Sequence, residues 1–226
     1  MKKIQFDIFT LFPEMFSAYV NESILKHAQA KGFIKINLHN WREQAAGKHR
    51  QVDDKPYGGG AGMLLMVEPI YKTLKKMSLL DKAKRKAKKI RVIMMAPEGK
   101  QLTHKEAVRL SKYDRLVLIC GRYEGFDART EKFIDEKISI GPYVLSGGEL
   151  PAMVLTEAVS RQIPGVLGHE QALKDETFTD DRVEYPQYTR PQLFETKEGK
   201  RLPVPKILMS GNHKKIAEWR QKHLKK

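Results

Sequence analysis

Apolar and polar side chains alternate at the start of the chain. Ile4, Phe6 and Ile8 share one face of an extended segment, and Ile34, Ile36 and Leu38 repeat the pattern. Between them Pro13 and Glu14 open a helix with Phe16, Val20, Ile24 and Ala28 on one face, and Gly32 ends it. Ile90–Met95 and Leu116–Cys120 are short and continuously apolar, as in strands covered on both faces, and Ile138–Ile140 is a shorter run of the same kind. Helical spacing recurs at Glu68–Met77, His104–Leu110 and Leu150–Gln162, the last with Val154, Leu155, Ala158 and Val159. Strands alternating with helices predict an α/β domain with a mainly parallel sheet and flanking helices.

The pattern lapses at Pro164–Thr177, which is polar, contains Gly and Pro and reads as a linker. Beyond it Tyr185–Pro191 and Pro203–Pro205 read as extended. His213–Lys225 reads as a helix with Ile216 and Trp219 on its apolar side and basic residues elsewhere. The division expected is a main domain over 1–163, a linker over 164–177 and a small, mostly helical domain over 178–226.

A chain of 226 residues accommodates this organisation. Charge adds a partner. Lys and Arg total 42 against 27 Asp and Glu, a net +15, which suits a polyanion such as nucleic acid. One segment concentrates that charge: Asp81–Arg91 holds Lys82, Lys84, Arg85, Lys86, Lys88, Lys89 and Arg91. It reads either as a solvated, mobile connection or as an arm that contacts phosphates. Cys120 is the single cysteine, so no disulfide forms within the chain and no thiolate metal cluster is available. Asp7, Pro13 and Glu14 interrupt the apolar N-terminus, and no run approaches a membrane span. The expectation is a soluble, cytoplasmic protein with no membrane partner.

Three loops carry candidate chemistry. Pro56–Met63 (PYGGGAGM) permits positive φ angles and close backbone approach, but it is neither a phosphate loop nor a dinucleotide fingerprint. At Leu116–Arg129 a buried-strand pattern ends at Cys120 and runs straight into Gly121-Arg122-Tyr123-Glu124-Gly125, with Asp127 and Arg129 following. In open α/β sheets ligands bind beyond such strand ends. Ile138–Pro151 repeats the logic, with Gly141, then Gly147-Gly148 just before a helix; Pro142 removes one backbone donor. Arg161 closes that helix, where a cation is favourable in any case. Asp175 and Glu176 stand in the linker, where carboxylates are usually only solvated. No Ser/His/Asp set and no His/carboxylate metal spacing stands out.

The wording of these motifs resembles the bacterial tRNA (guanine-N1)-methyltransferase family, TrmD, of the knotted SPOUT methyltransferases. The similarity spans LFPEMF at Leu11–Phe16, VDDKPYGGGAGM at Val52–Met63, CGRYEG at Cys120–Gly125 and SIGPYVLSGGELPAM at Ser139–Met153. It continues through VSRQIPGVLG at Val159–Gly168, EYPQYTRP at Glu184–Pro191 and LMSGNHKKIAEWR at Leu208–Arg220. The resemblance implies a homodimer with a deep trefoil knot in the main domain, an exception to the rule that chains do not thread their own loops. It implies methyl transfer from S-adenosylmethionine to N1 of the guanosine just 3′ of the anticodon, with the tRNA anticodon stem-loop as partner. The cofactor would be held by Pro97, by Gly121, Tyr123 and Glu124, and by Ile140, Gly141, Pro142, Tyr143, Val144 and Leu145 with Gly147 and Gly148.

Carried over in the same way, Arg161 supports catalysis and a linker carboxylate is the general base. The family places an aspartate just before a Ser-Phe pair. Here the pair is Thr177-Phe178, preceded by Glu176 with Asp175 one position earlier, so both remain candidates and ungapped counting from Arg161 selects Glu176. Pro142 also departs from the pattern, and the C-terminus is short. The Mg2+ associated with the family finds no dedicated cage in the sequence; Glu124 with water or substrate is what the chain offers. The alternatives are a non-catalytic RNA-binding relative of the same fold, or a SPOUT ribose 2′-O-methyltransferase.

Overall fold

The alternating N-terminal segments pair with each other. In a computed structural model that describes residues 3–168, 177–178 and 183–224, β1 (Ile4–Thr10) lies parallel to β2 (Ile34–Asn40), with Ile4 opposite Ile34. The link between them differs from expectation. It forms two helices, α1 (Glu14–Val20) and α2 (Ser23–Ala30), because Asn21 closes the first by donating to Tyr19 O. Ser23, at φ 49°, re-aims the chain. The buried residues are accordingly Phe16 and Val20, then Leu25 and Ala28, while Ile24 is only half-buried.

After a 3-10 turn at Trp41–Gln44, β3 (Asp53–Asp54) and β4 (Leu64–Leu65) pair antiparallel and clamp the glycine-rich loop between them. Two helices follow, α3 (Val67–Lys76) and α4 (Lys82–Ala87). Then β5 (Ile90–Gln101), α5 (His104–Leu110), β6 (Arg115–Cys120), β7 (Glu136–Ser139) and α6 (Glu149–Ser160) complete the α/β pattern. The sheet order is β2-β1-β6-β5-β7, and every pair in it is parallel.

Strand alternation divides the core between the two faces of the sheet. Phe6, Ile8, Leu116, Leu118, Ile93 and Met95 meet residues of α1, α2, α5 and α6 on one side. Phe9, Val117, Ile119, Val92 and Met94 meet Trp41 and the Ile70 and Leu74 side of α3 on the other. Continuously apolar strands are what burial on both faces demands.

The basic segment at Asp81–Arg91 is ordered, which corrects the reading as a mobile connection. Asp81 caps α4 by accepting from the Lys84 N–H at 3.0 Å, and Arg85, 1 % exposed, is driven inward. The start of the expected linker also belongs to the core. Val166 is buried in the first cluster, and Gly165, at φ 88°, sits where a Cβ would lie 2.6 Å from the Phe33 ring. Among the described residues no helix is long and apolar enough to cross a membrane.

The chain divides into two compact units, Met1–Gly168 and His169–Lys226. Within the second, β8 (Leu193–Glu195) and β9 (Arg201–Pro203) form an antiparallel hairpin, followed by α7 (His213–His223). The helix matches its periodicity; three-residue strands are too short to announce themselves. Trp219 joins α7 to the extended Tyr185–Pro191 segment through Tyr188, ring centroids 6.4 Å apart, and the Arg220 guanidinium lies 5.1 Å from the Tyr185 ring centre.

Candidate active site

Adjacent parallel strands β6, β5 and β7 end on the same side of the sheet, so the loops that leave them converge. Between these loops is a cavity of about 300 Å3, at the lower end of small-ligand sites. It lies beyond the carboxyl ends of the strands, where open α/β sheets take ligands.

Each wall has a local cause. Within β5 the register slips, so that Met95 and Lys100 both pair with Ile138. The intervening residues bulge outward and put Pro97 and Glu98 on the cavity wall. Gly99 permits this: a Cβ there would lie 2.6 Å from Ile138 N. From the loop after β6 come Gly121, Tyr123 and Glu124. Tyr123 is 54 % exposed and held at φ 57°, a costly conformation for a non-glycine residue that concentrates at functional sites. From the loop after β7 come Ile140, Tyr143, Val144 and Leu145, then Gly147 and Gly148. Gly141 and Pro142 belong to the same loop but do not line the cavity. Gly141 instead lies under the Tyr143 ring, and Ser139 Oγ bonds its carbonyl at 2.9 Å.

The second and third loops are fastened to each other. Gly148 N donates to Gly121 O at 2.9 Å, and Arg122 and Gly147 form a β-bridge. Gly148 lies so close to β6 that a Cβ would stand 2.8 Å from Cys120 Cα. Beneath the fastening is an ion pair. Arg122 Nε lies 3.0 Å from Glu149 Oε2, with the side chains 19 % and 2 % exposed. Thr10 Oγ1 donates to the other Glu149 oxygen at 2.9 Å. The Arg122 guanidinium sits 4.6 Å above the Phe12 ring and reaches Met15 Sδ at 3.0 Å. The LFPEMF motif thus supports the loop from below.

Of the four charges expected in this crevice, Arg122 is committed to Glu149, and Asp127 and Arg129 pair with each other at 2.5 Å. The Arg129 hydrogen bonds hold the Asp127 carboxyl below its ordinary value. Glu124, exposed, faces the cavity beside the glycine-rich loop. Its N–H donates to Met63 O at 3.1 Å, and a Cβ on Gly62 would lie 2.4 Å from its Cγ. That loop is therefore one flank of the site. Cys120, the last residue of β6, is fully buried; burial first, then the Glu149 charge, push its thiol well above the usual range, so it is no nucleophile.

Sequence reasoning missed Glu98, Glu131 and Lys137, all on the cavity wall. Lys137 Nζ bridges Glu131 at 2.6 Å and Glu98 at 2.9 Å, which raises its own pKa and lowers that of Glu98. The one available signal was Lys137 itself, a charge beside Ile138 on the short strand that leads into the Gly141 loop. With Glu124 these carboxylates give the cavity an acidic wall, suited to a ligand that carries positive charge.

Arg161 is elsewhere. It caps α6 and lines a separate depression with Tyr19, Leu150, Met153, Val154 and Glu157. Phe12, Met15, Tyr19, Leu150 and Val154 are each 40 to 54 % exposed along α1 and α6. Asp175 and Glu176 lie outside the described residues. Among the described residues no group of three or more His, Cys, Asp or Glu is placed to hold a metal ion.

A family model described as tRNA (Guanine-1)-methyltransferase TrmD matches residues 4–226. A tRNA (guanine-N(1)-)-methyltransferase of Staphylococcus aureus strain MRSA252 is 48% identical over 218 residues, covering 96% of this chain and 84% of the relative. The protein of the same description from strain Newman is likewise 48% identical over 218 residues, with the same coverage.

Proposed function

The chain belongs to the tRNA (guanine-1)-methyltransferase TrmD family, and on that premise we propose that it modifies the guanosine just 3′ of the anticodon, with a carboxylate of the segment after α6 as general base. The reaction follows from the family: a methyl group moves to N1 of a guanine in tRNA, with S-adenosylmethionine the implied donor. The observation that carries the reading is the convergence of three strand-end loops on one cavity with close backbone approach and an acidic wall.

The cavity suits that donor. When bound, S-adenosylmethionine supplies an electrophilic methyl on a positively charged sulfur. Pro97, Gly121, Tyr123 and Glu124 would hold it from one side, and Ile140, Tyr143, Val144, Leu145, Gly147 and Gly148 from the other, with Gly141 and Pro142 shaping the loop. Glycine at 121, 147 and 148 leaves main-chain N–H and C=O groups within reach of a ligand. Glu98, Glu124 and Glu131 answer its positive charge.

Guanine N1 carries a proton at neutral pH, so its lone pair becomes available only as that proton leaves. Glu176, or Asp175 beside it, takes the proton. Negative charge grows on O6, and Arg161 stabilises it. Any Mg2+ would be held by Glu124 together with water and substrate oxygens.

Arg161 and the exposed apolar stripe on α1 and α6 share one flank, which supports a homodimer joined there. A second copy on this flank would bring Arg161 to the joint and cover Tyr19, Leu150 and Val154. Membership of the family supports a trefoil knot in the main domain, which carries the cofactor and extends beyond the expected 1–163 to take in Val166. The rest of the expected 164–177 linker, after Gly168, would lead to a tRNA-binding domain over 178–226, where Lys214, Lys215, Arg220 and Lys222 of α7 suit a phosphate backbone. The chemistry and partner suit the cytoplasm.

The test is nucleoside mass spectrometry, with nuclease mapping, on tRNA transcripts carrying guanosine or adenosine 3′ of the anticodon. One-methylguanosine at that position, and only with guanosine present, is expected. Methylation of the adenosine transcript at another guanosine, or of a ribose hydroxyl, would overturn the assignment.

A further inference from the structure

The strongest charge concentration in the first unit is at the opposite end of the sheet from the cavity. Lys82, Lys84, Lys86 and Lys88 all project from α4 or its C-cap into solvent, with Lys89 next in line. α4 feeds the N-terminal end of β5 at Ile90, whereas the cavity takes Pro97 from the other end. At about 3.3 Å per residue Ile90 and Pro97 are roughly 20 Å apart along β5, with the nearest part of the cavity wall at Met94. Lys112 is exposed at the same end, beside the Asp114 N–H that Lys89 O accepts at 2.9 Å. Among the described residues, Asp81 is 3.7 Å from Lys84 and Asp114 is nearby, while Asp135 and Glu136 at this end are taken up by Arg85, Arg91 and Arg109.

This helix is electrostatically unfavourable by itself. Lys82 and Lys86, like Lys84 and Lys88, are like charges at i,i+4, and Lys82 stands in the first turn, against the helix dipole that Lys84 and Lys86 in the last turn complement. Six residues are also too few for a self-sustaining helix. What holds it is Arg85, whose guanidinium donates to Asp135 at 2.6 Å, to Phe133 O at 3.1 Å and to Leu79 O. Asp135 is fixed in turn by the Val92 N–H at 2.8 Å. A buried anchor thus presents two i,i+4 lysine pairs, one on each flank of the helix, whose members repel each other until a polyanion relieves them.

We propose that the α4 lysines form a second, non-catalytic docking surface for the phosphate backbone of the substrate tRNA, outside the anticodon stem-loop. It rests on tRNA being the substrate, which the family gives. That separation exceeds the reach of the target nucleotide and its immediate neighbours, so the contact falls to a stretch of the phosphate backbone farther along the same RNA. Compact lysine ammonium groups suit such contacts, which follow charge rather than base sequence.

The experiment compares two substrates on the full-length protein: whole tRNA, and the isolated anticodon stem-loop of the same tRNA. The variant Lys82→Gln/Lys84→Gln/Lys86→Gln/Lys88→Gln should weaken whole-tRNA affinity about tenfold or more at moderate salt. It should also flatten the slope of log affinity against log salt by about 3, since each lost phosphate contact removes about 0.7–0.9. Stem-loop affinity and turnover should not change, and the corresponding Lys→Arg variant should behave as wild type. Should the quadruple variant fold poorly, Lys86→Gln/Lys88→Gln carries the same comparison with about half the change in slope. Equal weakening on both substrates, or none on either, overturns the proposal. So does loss of binding to phosphatidylserine vesicles with tRNA affinity intact. Absence of one-methylguanosine from wild-type reactions on either substrate would instead count against the functional reading.

Discussion

Two buried arginine–carboxylate pairs stand at opposite ends of the sheet and do different work. Arg122 and Glu149, 3.0 Å apart, hold the loops that line the cavity. Arg85 and Asp135, 2.6 Å apart, hold α4 beneath its lysines. Buried ion pairs cost desolvation that their mutual attraction barely repays, so their presence is weak evidence for stability as such. Both pairs impose geometry on a segment with little reason to adopt it alone. At the cavity that segment is a glycine-rich turn with Tyr123 at positive φ; at the far end it is a helix of like charges. The first constraint serves binding of a small ligand, the second presentation of charge.

Breaking the pairs singly sharpens the comparison. Glu149→Ala has the largest expected effect, about 3–5 kcal/mol of stability, because it leaves the partly buried Arg122 without its carboxylate and the buried Thr10 without its acceptor. Denaturant unfolding should show the loss, and calorimetry should show S-adenosylmethionine affinity falling at least tenfold in protein that remains folded. Arg85→Met keeps the stem volume but takes the guanidinium from Asp135, which retains the Val92 N–H, and from the Phe133 and Leu79 carbonyls, at a cost of about 3 kcal/mol. Cofactor affinity in the folded protein should be unchanged. If Arg85→Met weakens the cofactor as much as Glu149→Ala does, the two ends are not independent.

The comparison also marks where the sequence was readable. β1, β2, β5 and β6 are visible because burial on one or both faces leaves a regular apolar record. Gly121 is visible because it stands directly after such a record, and Gly147 and Gly148 because they stand directly before the helical pattern of α6. The bulge in β5 is not: Pro97-Glu98-Gly99 reads as the end of a strand, and only the proximity of Gly99 to β7 reveals that the strand resumes. Glu98, Glu131 and Lys137 come from three separate places and meet only through the sheet order. Arg85 was hidden among lysines because composition treats all cations alike, although a planar guanidinium can satisfy three acceptors where an ammonium on a flexible stem does so poorly. The break at Asn21 escaped notice because Ile24 still fits a 3.6-residue period. No pattern in the sequence could place Arg161 in a depression apart from the loop cavity, since that depends on how α6 packs beside α1.

A third buried carboxylate, engaged at neither end, gives a smaller effect and a pH signature. Asp7 on β1 accepts from Arg115 at 2.6 Å, His39 at 2.7 Å, Gln5 at 2.7 Å and Asn37 at 3.0 Å. Burial raises its pKa, but the hydrogen bonds of His39, Arg115 and Gln5 outweigh it and bring the value from 3.8 to about 2. The folded state thus binds the Asp7 proton less readily than the unfolded chain does. Its contribution, about 2 kcal/mol, is complete above pH 4 and is lost as pH falls through about 2. Between pH 5 and pH 3 the midpoint of thermal unfolding should fall less steeply for Asp7→Asn than for wild type. Parallel curves would mean that other carboxylates carry the acid response.

The smallest effect separates close approach from backbone strain. Gly148 has an ordinary φ, −84°, yet a Cβ would lie 2.8 Å from Cys120 Cα, a backbone atom that cannot swing away. Gly58 has the opposite character: φ is 86°, and a Cβ would meet nothing within 4 Å. Gly148→Ala must therefore push the two cavity loops apart, costing about 1–3 kcal/mol and weakening the cofactor. Gly58→Ala costs about 1 kcal/mol from the left-handed backbone alone and leaves cofactor affinity where it was. Unfolding midpoints and cofactor titrations on the two variants distinguish these outcomes. Equal loss of cofactor affinity in both would show that the glycine-rich loop, and not the Gly148 contact with β6, sets the width of the cavity.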